Sequence, residues 1–155
     1  MTAVGSVFIA APFKASCDPQ TGEIAEALKQ RLIKLTTFFR QRGFSIHNAH
    51  EREGWGRHMM TPEECTFFDF RDIKSCEWFV ALPGNPASPG THVELGWASA
   101  FQKRIVVLLE MDKEYAFLVR GLYQVADVQY VYFKDDEDCL AKLAELFPLP
   151  ELRTL

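Results

Sequence analysis

The sequence has little of what would assign it quickly. Its 155 residues hold four cysteines, Cys17, Cys65, Cys76 and Cys139, widely scattered and with no C-x-x-C pair. That spacing argues against a disulfide framework and for reduced thiols, as in a cytosol. No Lys or Arg precedes Lys14, so the apolar start from Met1 to Pro12 lacks a signal-peptide n-region. No apolar run approaches the roughly 20 residues of a membrane span. A cytoplasmic protein without a membrane partner is therefore expected. Basic excess is missing as well: 17 Lys plus Arg stand against 21 Asp plus Glu, a formal net charge of −4. No electrostatic footprint for DNA or RNA results, and no nucleic-acid polymer is expected as a partner. A single small anion needs only local donors and stays open. There is no G-x-G-x-x-G, no P-loop and no G-x-S-x-G, so the usual dinucleotide, triphosphate and hydrolase signatures are absent.

What is present is a core. Hydrophobic residues make up 48%, charged residues 25% and aromatics 13%, with thirteen Phe. This is the profile of one globular domain over residues 1–155, with no repeat, low-complexity segment or linker.

Apolar bursts alternate with amphipathic stretches. Strands are expected at Ser6–Ala11, Phe44–His47, Trp78–Leu82, Arg104–Leu109 and Val128–Phe133. Helical spacing of Ile24, Leu28, Leu32, Leu35 and Phe39 predicts a helix from about Thr21 to Arg42, stopped at Gly43. Thr61-Pro62-Glu63-Glu64 is a helix start with a capping Thr, Pro at the first position and Glu at the third. Further helices are expected from Thr91 to about Gln102 and over Asp136–Phe147. Strands without polar alternation are buried on both faces, which implies a parallel sheet between helical layers. The expected fold is α/β: a three-layer sandwich with a five-stranded, mainly parallel sheet of flavodoxin or Rossmann type. Ligands of such sheets bind at the carboxyl ends of the strands, which directs the search to Pro12–Gln20, Asn48–Met60, Pro83–Gly90 and Glu110–Tyr115.

Several residues there carry potential chemistry. Pro83–Gly90 leaves a buried strand and enters a helix, so its backbone N–H groups with Gly90 and the Ser88 and Thr91 hydroxyls form either an anion pocket or a plain turn. Thr91-His92-Val93-Glu94 reads as a capping box, or as a helix start whose dipole keeps Glu94 ionised for nucleophilic attack. Asp69 falls on one stripe with Cys65, Ile73 and Cys76, where burial raises a carboxyl pKa. A raised carboxyl paired with an ionised one is the arrangement glycosidic cleavage uses. For neighbouring Asp72 a structural hydrogen bond is the simpler reading. His47, His50, His58 and His92 match no closed zinc pattern, and neither a metal nor another cofactor is expected.

Three stretches then carry a resemblance: Val7-Phe8-Ile9-Ala10-Ala11-Pro12-Phe13, Asp69-x-x-x-Ile73, and Gly90-Thr91-His92-Val93-Glu94-Leu95-Gly96-Trp97-Ala98. On these the chain resembles the nucleoside 2-deoxyribosyltransferase superfamily from its first strand to about Gly121. Asn48-Ala49-His50 with Glu53 and Trp55-Gly56, Pro86 to Glu94, and Tyr115 to Val119 look like its CMP and hydroxymethyl-CMP N-glycosidase branch.

The resemblance implies Glu94 as a nucleophile forming a glycosyl-enzyme ester and Asp69 as the carboxyl that helps the base depart. It implies substrate contacts from Phe8, Ala10, Pro12, Phe13, Lys14, His50 and Arg52, and phosphate contacts from Ser88, Gly90 and Thr91. Ser88 stands six residues before Glu94, where transferases of free nucleosides tend to carry an Asp that would repel phosphate. Phe8 stands where many relatives have Tyr, and Ala116 where animal nucleotide hydrolases reach a partner's phosphate with Ser. The implied activity is hydrolysis of a pyrimidine nucleoside 5′-monophosphate, foremost CMP or a 5-substituted CMP, to free base and (deoxy)ribose 5-phosphate, in a homodimer or higher homo-oligomer. Base exchange by a deoxyribosyltransferase and a non-catalytic nucleotide sensor are the alternatives.

Overall fold

The structure is a computed structural model that describes residues 3–13 and 17–151. Strand β1 (Gly5–Ala10) is followed by helix α1 (Glu26–Gln41), strand β2 (Phe44–Asn48) and one helical turn, α2 (Ala49–Arg52). Helix α3 (Pro62–Ser75), strand β3 (Trp78–Ala81), helix α4 (Pro89–Ala100) and strand β4 (Arg104–Glu110) follow. A short turn α5 (Phe117–Arg120), strand β5 (Val128–Phe133) and helix α6 (Asp136–Leu146) complete the described chain. The sheet order is β2-β1-β3-β4-β5, and every neighbouring pair runs parallel.

Alternation along the central strands divides the core in two. Val7 and Ile9 face the same side as Val80, Val106 and Leu108, and pack with Leu32, Leu35 and Phe39 of α1 and Leu143 of α6. Phe8 and Ala10 face the other side with Phe79, Ala81, Val107 and Leu109, and pack with Ile73 of α3 and Leu95 of α4. Each such side chain, removed from water, contributes about 1.5–3 kcal/mol. The result is the three-layer α/β sandwich expected, with the sheet wholly parallel. No helix among the described residues is long and apolar enough to cross a membrane. All four cysteines are free thiols.

Two helix starts differ from expectation. Helix α1 begins at Glu26, because the chain before it is a turn: Asp18 accepts from the N–H groups of Gln20 and Thr21, and Cys17 bridges Ile24 in antiparallel fashion. Helix α4 begins at Pro89, not Thr91, with Ser88 as its cap accepting from the Thr91 N–H at 3.3 Å. Ser followed by Pro is itself a start signal, and it outranks the later T-x-x-E pattern. Thr91 is therefore inside the first turn, and the capping box with Glu94 does not form. The box at Thr61 and Glu64 does form, with both reciprocal hydrogen bonds in place.

β1 and β3 are neighbours, yet the chain leaves β1 toward β2 on one side and later returns to β3 on the other. This is the switch point of the sheet, where adjoining loops diverge and leave a crevice. The Gly54-Trp55-Gly56 turn packs against the core on the α1 side, and the Trp55 carbonyl accepts from the Ile24 N–H. Gly56 has φ +99° and the carbonyl of Gly22 lies directly over it, so any side chain there would collide with the 22–24 segment.

Candidate active site

A cavity of about 270 Å³ opens at the carboxyl end of β1. Ile9, Ala10, Ala11 and Phe13 form its floor, His50 and Glu53 one wall, and Met59, Met60 and Pro62 the rim. Cys65 and Asp69 enter from α3 and Glu94 from α4. Two carboxylates from different helices thus converge on one cavity, which spacing along the chain alone does not reveal.

The wall formed by His50 is a hydrogen-bonded lock. His50 is 2% exposed, and its Nε2 donates to the Pro12 carbonyl at 2.7 Å. A carbonyl only accepts, so Nε2 carries the proton and Nδ1 accepts from Asn48 Nδ2 at 3.4 Å. Asn48 Nδ2 also donates to the Ile9 carbonyl at 3.0 Å, and Asn48 Oδ1 caps α2 by accepting from the Glu51 N–H. The Phe13 ring stacks on His50 with centroids 4.4 Å apart. Burial, partly offset by the bond to Pro12, lowers the His50 pKa to about 4, so the ring is neutral. His47, three residues earlier, turns instead toward Asp72 Oδ2 at 3.5 Å.

The acidic wall is organised by Arg52. Its Nη2 donates to Asp69 Oδ1 at 2.8 Å, and Nη1 lies 3.8 Å from Asp72 Oδ2. Asp72 also accepts from Arg71 Nε at 3.0 Å and Nη2 at 2.9 Å. Asp72 is a structural ion-pair partner outside the cavity wall. Burial raises the pKa of Asp69, an effect opposed by the Arg52 hydrogen bond and charge. Burial, reinforced by the negative charge of Asp69 and opposed by Arg52, pushes Glu94 up to about 8. Glu94 therefore holds a proton at neutral pH, whereas one reading of its helix-start position kept it ionised. The reason is local. Glu94 lies more than a turn beyond the Ser88 cap, where the helix dipole has faded and desolvation dominates.

The other expected site residues fall into three groups. Ala10, Phe13 and His50 line the cavity, while Pro12 supplies the carbonyl that holds His50 and Arg52 stands behind Asp69. Phe8, expected at the substrate, is fully buried and stacked on Phe79 at 5.6 Å, in the core between the sheet and helices α3 and α4 and not in the cavity lining. Ser88 and Thr91 are buried as the cap of α4, with Thr91 Oγ1 donating to Ser88 Oγ at 3.0 Å. Gly90 is exposed on the approach to Glu94, and a Cβ there would stand 4.0 Å from Glu94 Oε1. Lys14 lies outside the described residues. Among residues that sequence reasoning left without a role, Glu53 is the notable one: an acid 4% exposed in the cavity wall. Its signals along the chain were its place in the stretch from Asn48 to Gly56 that carries the resemblance and the tight turn Gly54-Trp55-Gly56 that follows it. The loops Pro83–Gly90 and Glu110–Tyr115 join each other through Asn85 Nδ2, which donates to the Glu114 carbonyl at 2.8 Å, and line a separate cavity of about 200 Å³.

No family model matches this sequence, and no curated protein does. Solved structures do. The CMP N-glycosidase BcmB of Clostridium botulinum is 34% identical, with a TM-score of 0.68 over 89% of this chain and 97% of that one. The solution structure of BlsM is 43% identical, with a TM-score of 0.76 over 99% of this chain and 100% of that one. A conserved protein of Enterococcus faecalis V583 is 13% identical at a TM-score of 0.57, over 93% of this chain and 99% of that one, and shares the fold. With the first of these covering nearly the whole chain at that identity, the protein belongs to the CMP N-glycosidase family.

Proposed function

We propose that the protein hydrolyses the N-glycosidic bond of a pyrimidine nucleoside 5′-monophosphate, foremost CMP, releasing the free base and ribose 5-phosphate or its deoxy form. The observation that carries this reading is the convergence of Asp69 and Glu94 on one cavity with both carboxyl pKa values raised. Such a pair holds a proton at neutral pH, and a departing pyrimidine needs one.

The chemistry balances on that single proton. As the bond from C1′ to the base breaks, the proton held by the pair passes to the base ring, and the Glu94 carboxylate so formed bonds to C1′. The product is a glycosyl ester on Glu94 and a neutral free base. Water then attacks C1′, Asp69 takes one of its protons, and the Glu94 carboxylate departs. The pair regains its proton and the sugar gains a hydroxyl. Proton transfer of this kind supplies about 10²–10⁴-fold in rate, and burial of the two carboxyls strengthens the charge interactions around the reacting carbon. The phosphate leaves the cavity over Gly90, beside the N-terminus of α4, where backbone N–H groups favour an anion.

Incubation with CMP, dCMP, UMP and cytidine, followed by chromatography for free base, tests the reading. Release of cytosine from CMP or dCMP in excess of that from cytidine is expected. No release from any nucleotide would overturn it, and release only when a second base is supplied would move the assignment to base exchange.

A further inference from the structure

Glu53 has no part in that chemistry, yet it is the most buried acid of the cavity. It closes α2 and stands in the wall beside His50, 4% exposed. Its Oε1 accepts from the Met60 N–H at 2.9 Å, which anchors one carboxylate oxygen to the rim segment. No other hydrogen bond among the described residues occupies the carboxylate, and no salt bridge among them reaches it. Glu53, Cys65 and Asp69 line the same cavity, and the charges of both acids add to burial in raising the Cys65 thiol. Met60 stands just before the start of α3 at Pro62, so its hydrogen bond puts Glu53 at the N-terminal end of that helix, with Asp69 about two turns further along it.

This arrangement divides the cavity. The sugar carbon that reacts must lie against Asp69 and Glu94, and the phosphate must exit by exposed Gly90. The remaining space, between Phe13, Met60 and Glu53, is left for the base. Phe13 and Met60 offer apolar surface for a ring, and the second oxygen of Glu53 offers only acceptance.

We infer that Glu53 reads the edge of the base, accepting from an exocyclic amino group, so that the cavity takes an aminopyrimidine in preference to an oxopyrimidine. The inference rests on the nucleotide-hydrolase reading above. Cytosine carries an amino donor at C4. Uracil carries a carbonyl acceptor there, whose lone pairs would face those of the carboxylate. A carboxylate paired with the cytosine amino group is a known complement, and a well-made contact to a base edge discriminates by about tenfold or more. The contact is directional because Met60 holds the other oxygen.

The test is the ratio of kcat/KM for CMP over UMP in wild type and in Glu53→Gln. Gln can keep its oxygen on the Met60 N–H, which turns its amide N–H₂ toward the ligand and replaces an acceptor by a donor. Wild type is expected to favour CMP by about tenfold or more, and the variant to shift the ratio toward UMP by a similar factor. Equal values in wild type, or an unchanged ratio in the variant, would overturn the inference while leaving the hydrolase reading intact. Failure of wild type to release base from either nucleotide would remove the hydrolase reading and this inference with it. Should the variant not fold, the wild-type protein still decides. The 5′-monophosphate of pyrimidin-2-one riboside, which lacks the amino group, is expected to compete with CMP about tenfold more weakly, and equal competition would overturn the inference.

Discussion

Arg52 donates from Nη2 to Asp69 Oδ1 at 2.8 Å, and this one contact sets the electrostatics of the acidic wall. It holds negative charge on Asp69 against burial, and that charge in turn helps keep the proton on Glu94. Arg52 is thus the reason that two carboxyls in one cavity are not equivalent. Its side chain is 22% exposed, so water screens the pair less than it screens a surface ion pair.

Replacing Arg52 by Ala should lower kcat/KM for CMP by about 10²-fold and cost about 1–3 kcal/mol of stability, because Asp69 loses its charge-assisted hydrogen bond. Lys at this position restores charge but not the planar fork, so Arg52→Lys should recover only part of the activity. Steady-state kinetics and thermal melts of the two variants check this. Full activity in Arg52→Ala would contradict it.

Glu94 makes stability fall as pH rises. Its pKa is near 4.5 in the unfolded chain and about 8 in the fold. Between those values the folded protein keeps a proton that the unfolded chain has released, so the contribution is complete below about pH 4.5 and is lost toward pH 8. Glu94→Gln removes the titration. Its Tm should exceed that of wild type by about 3–6 °C at pH 8 and match it at pH 5. Equal melting temperatures at pH 8 would contradict the raised pKa.

His50 acts in the opposite direction. Its pKa falls from about 6.5 to about 4 on folding, so its contribution is present above pH 6.5 and is lost as pH falls toward 4. Ring resonances of His50 should remain those of the neutral Nε2–H tautomer down to about pH 5. A midpoint near 6.5 would mean that the ring is not shielded from water in the cavity wall.

Ser88→Asp separates capping from phosphate binding. Asp caps a helix as well as Ser does, so the Tm should stay within about 2 °C of wild type. A carboxylate beside the N-terminus of α4 should nevertheless repel a phosphorylated substrate and raise KM for CMP by about tenfold or more. An unchanged KM would place the phosphate elsewhere.

How far the sequence carried the structure depends on the range of the forces involved. The five strands were legible because runs such as Val7-Phe8-Ile9-Ala10 are buried on both faces, a property of the run itself. The start of α3 was legible because Thr61 and Glu64 satisfy each other locally. The start of α4 was misread because two start signals overlap within four residues, and Ser88-Pro89 prevails. The protonation of Glu94 was not legible at all. It depends on Asp69 and Arg52, which arrive from separate segments, and on burial that exists only once α3 and α4 meet. Phe8 was expected to touch the substrate; it sits instead in a buried run and stacks on Phe79 in the core. Glu53 was part of the stretch that carries the resemblance, but its role was not legible, because along the chain a buried acid beside a glycine turn looks like any solvated loop charge.

The central claim is that Glu94, with Asp69, cleaves the bond between base and sugar. The most direct measurement is chromatographic quantification of cytosine and ribose 5-phosphate from CMP with wild type, Glu94→Ala and Asp69→Asn, each verified as folded by circular dichroism. Wild type should release the two products one to one, Glu94→Ala none, and Asp69→Asn at a rate reduced by about 10²–10⁴-fold. Cytosine release by folded Glu94→Ala at the wild-type rate, or none by wild type, would contradict the account.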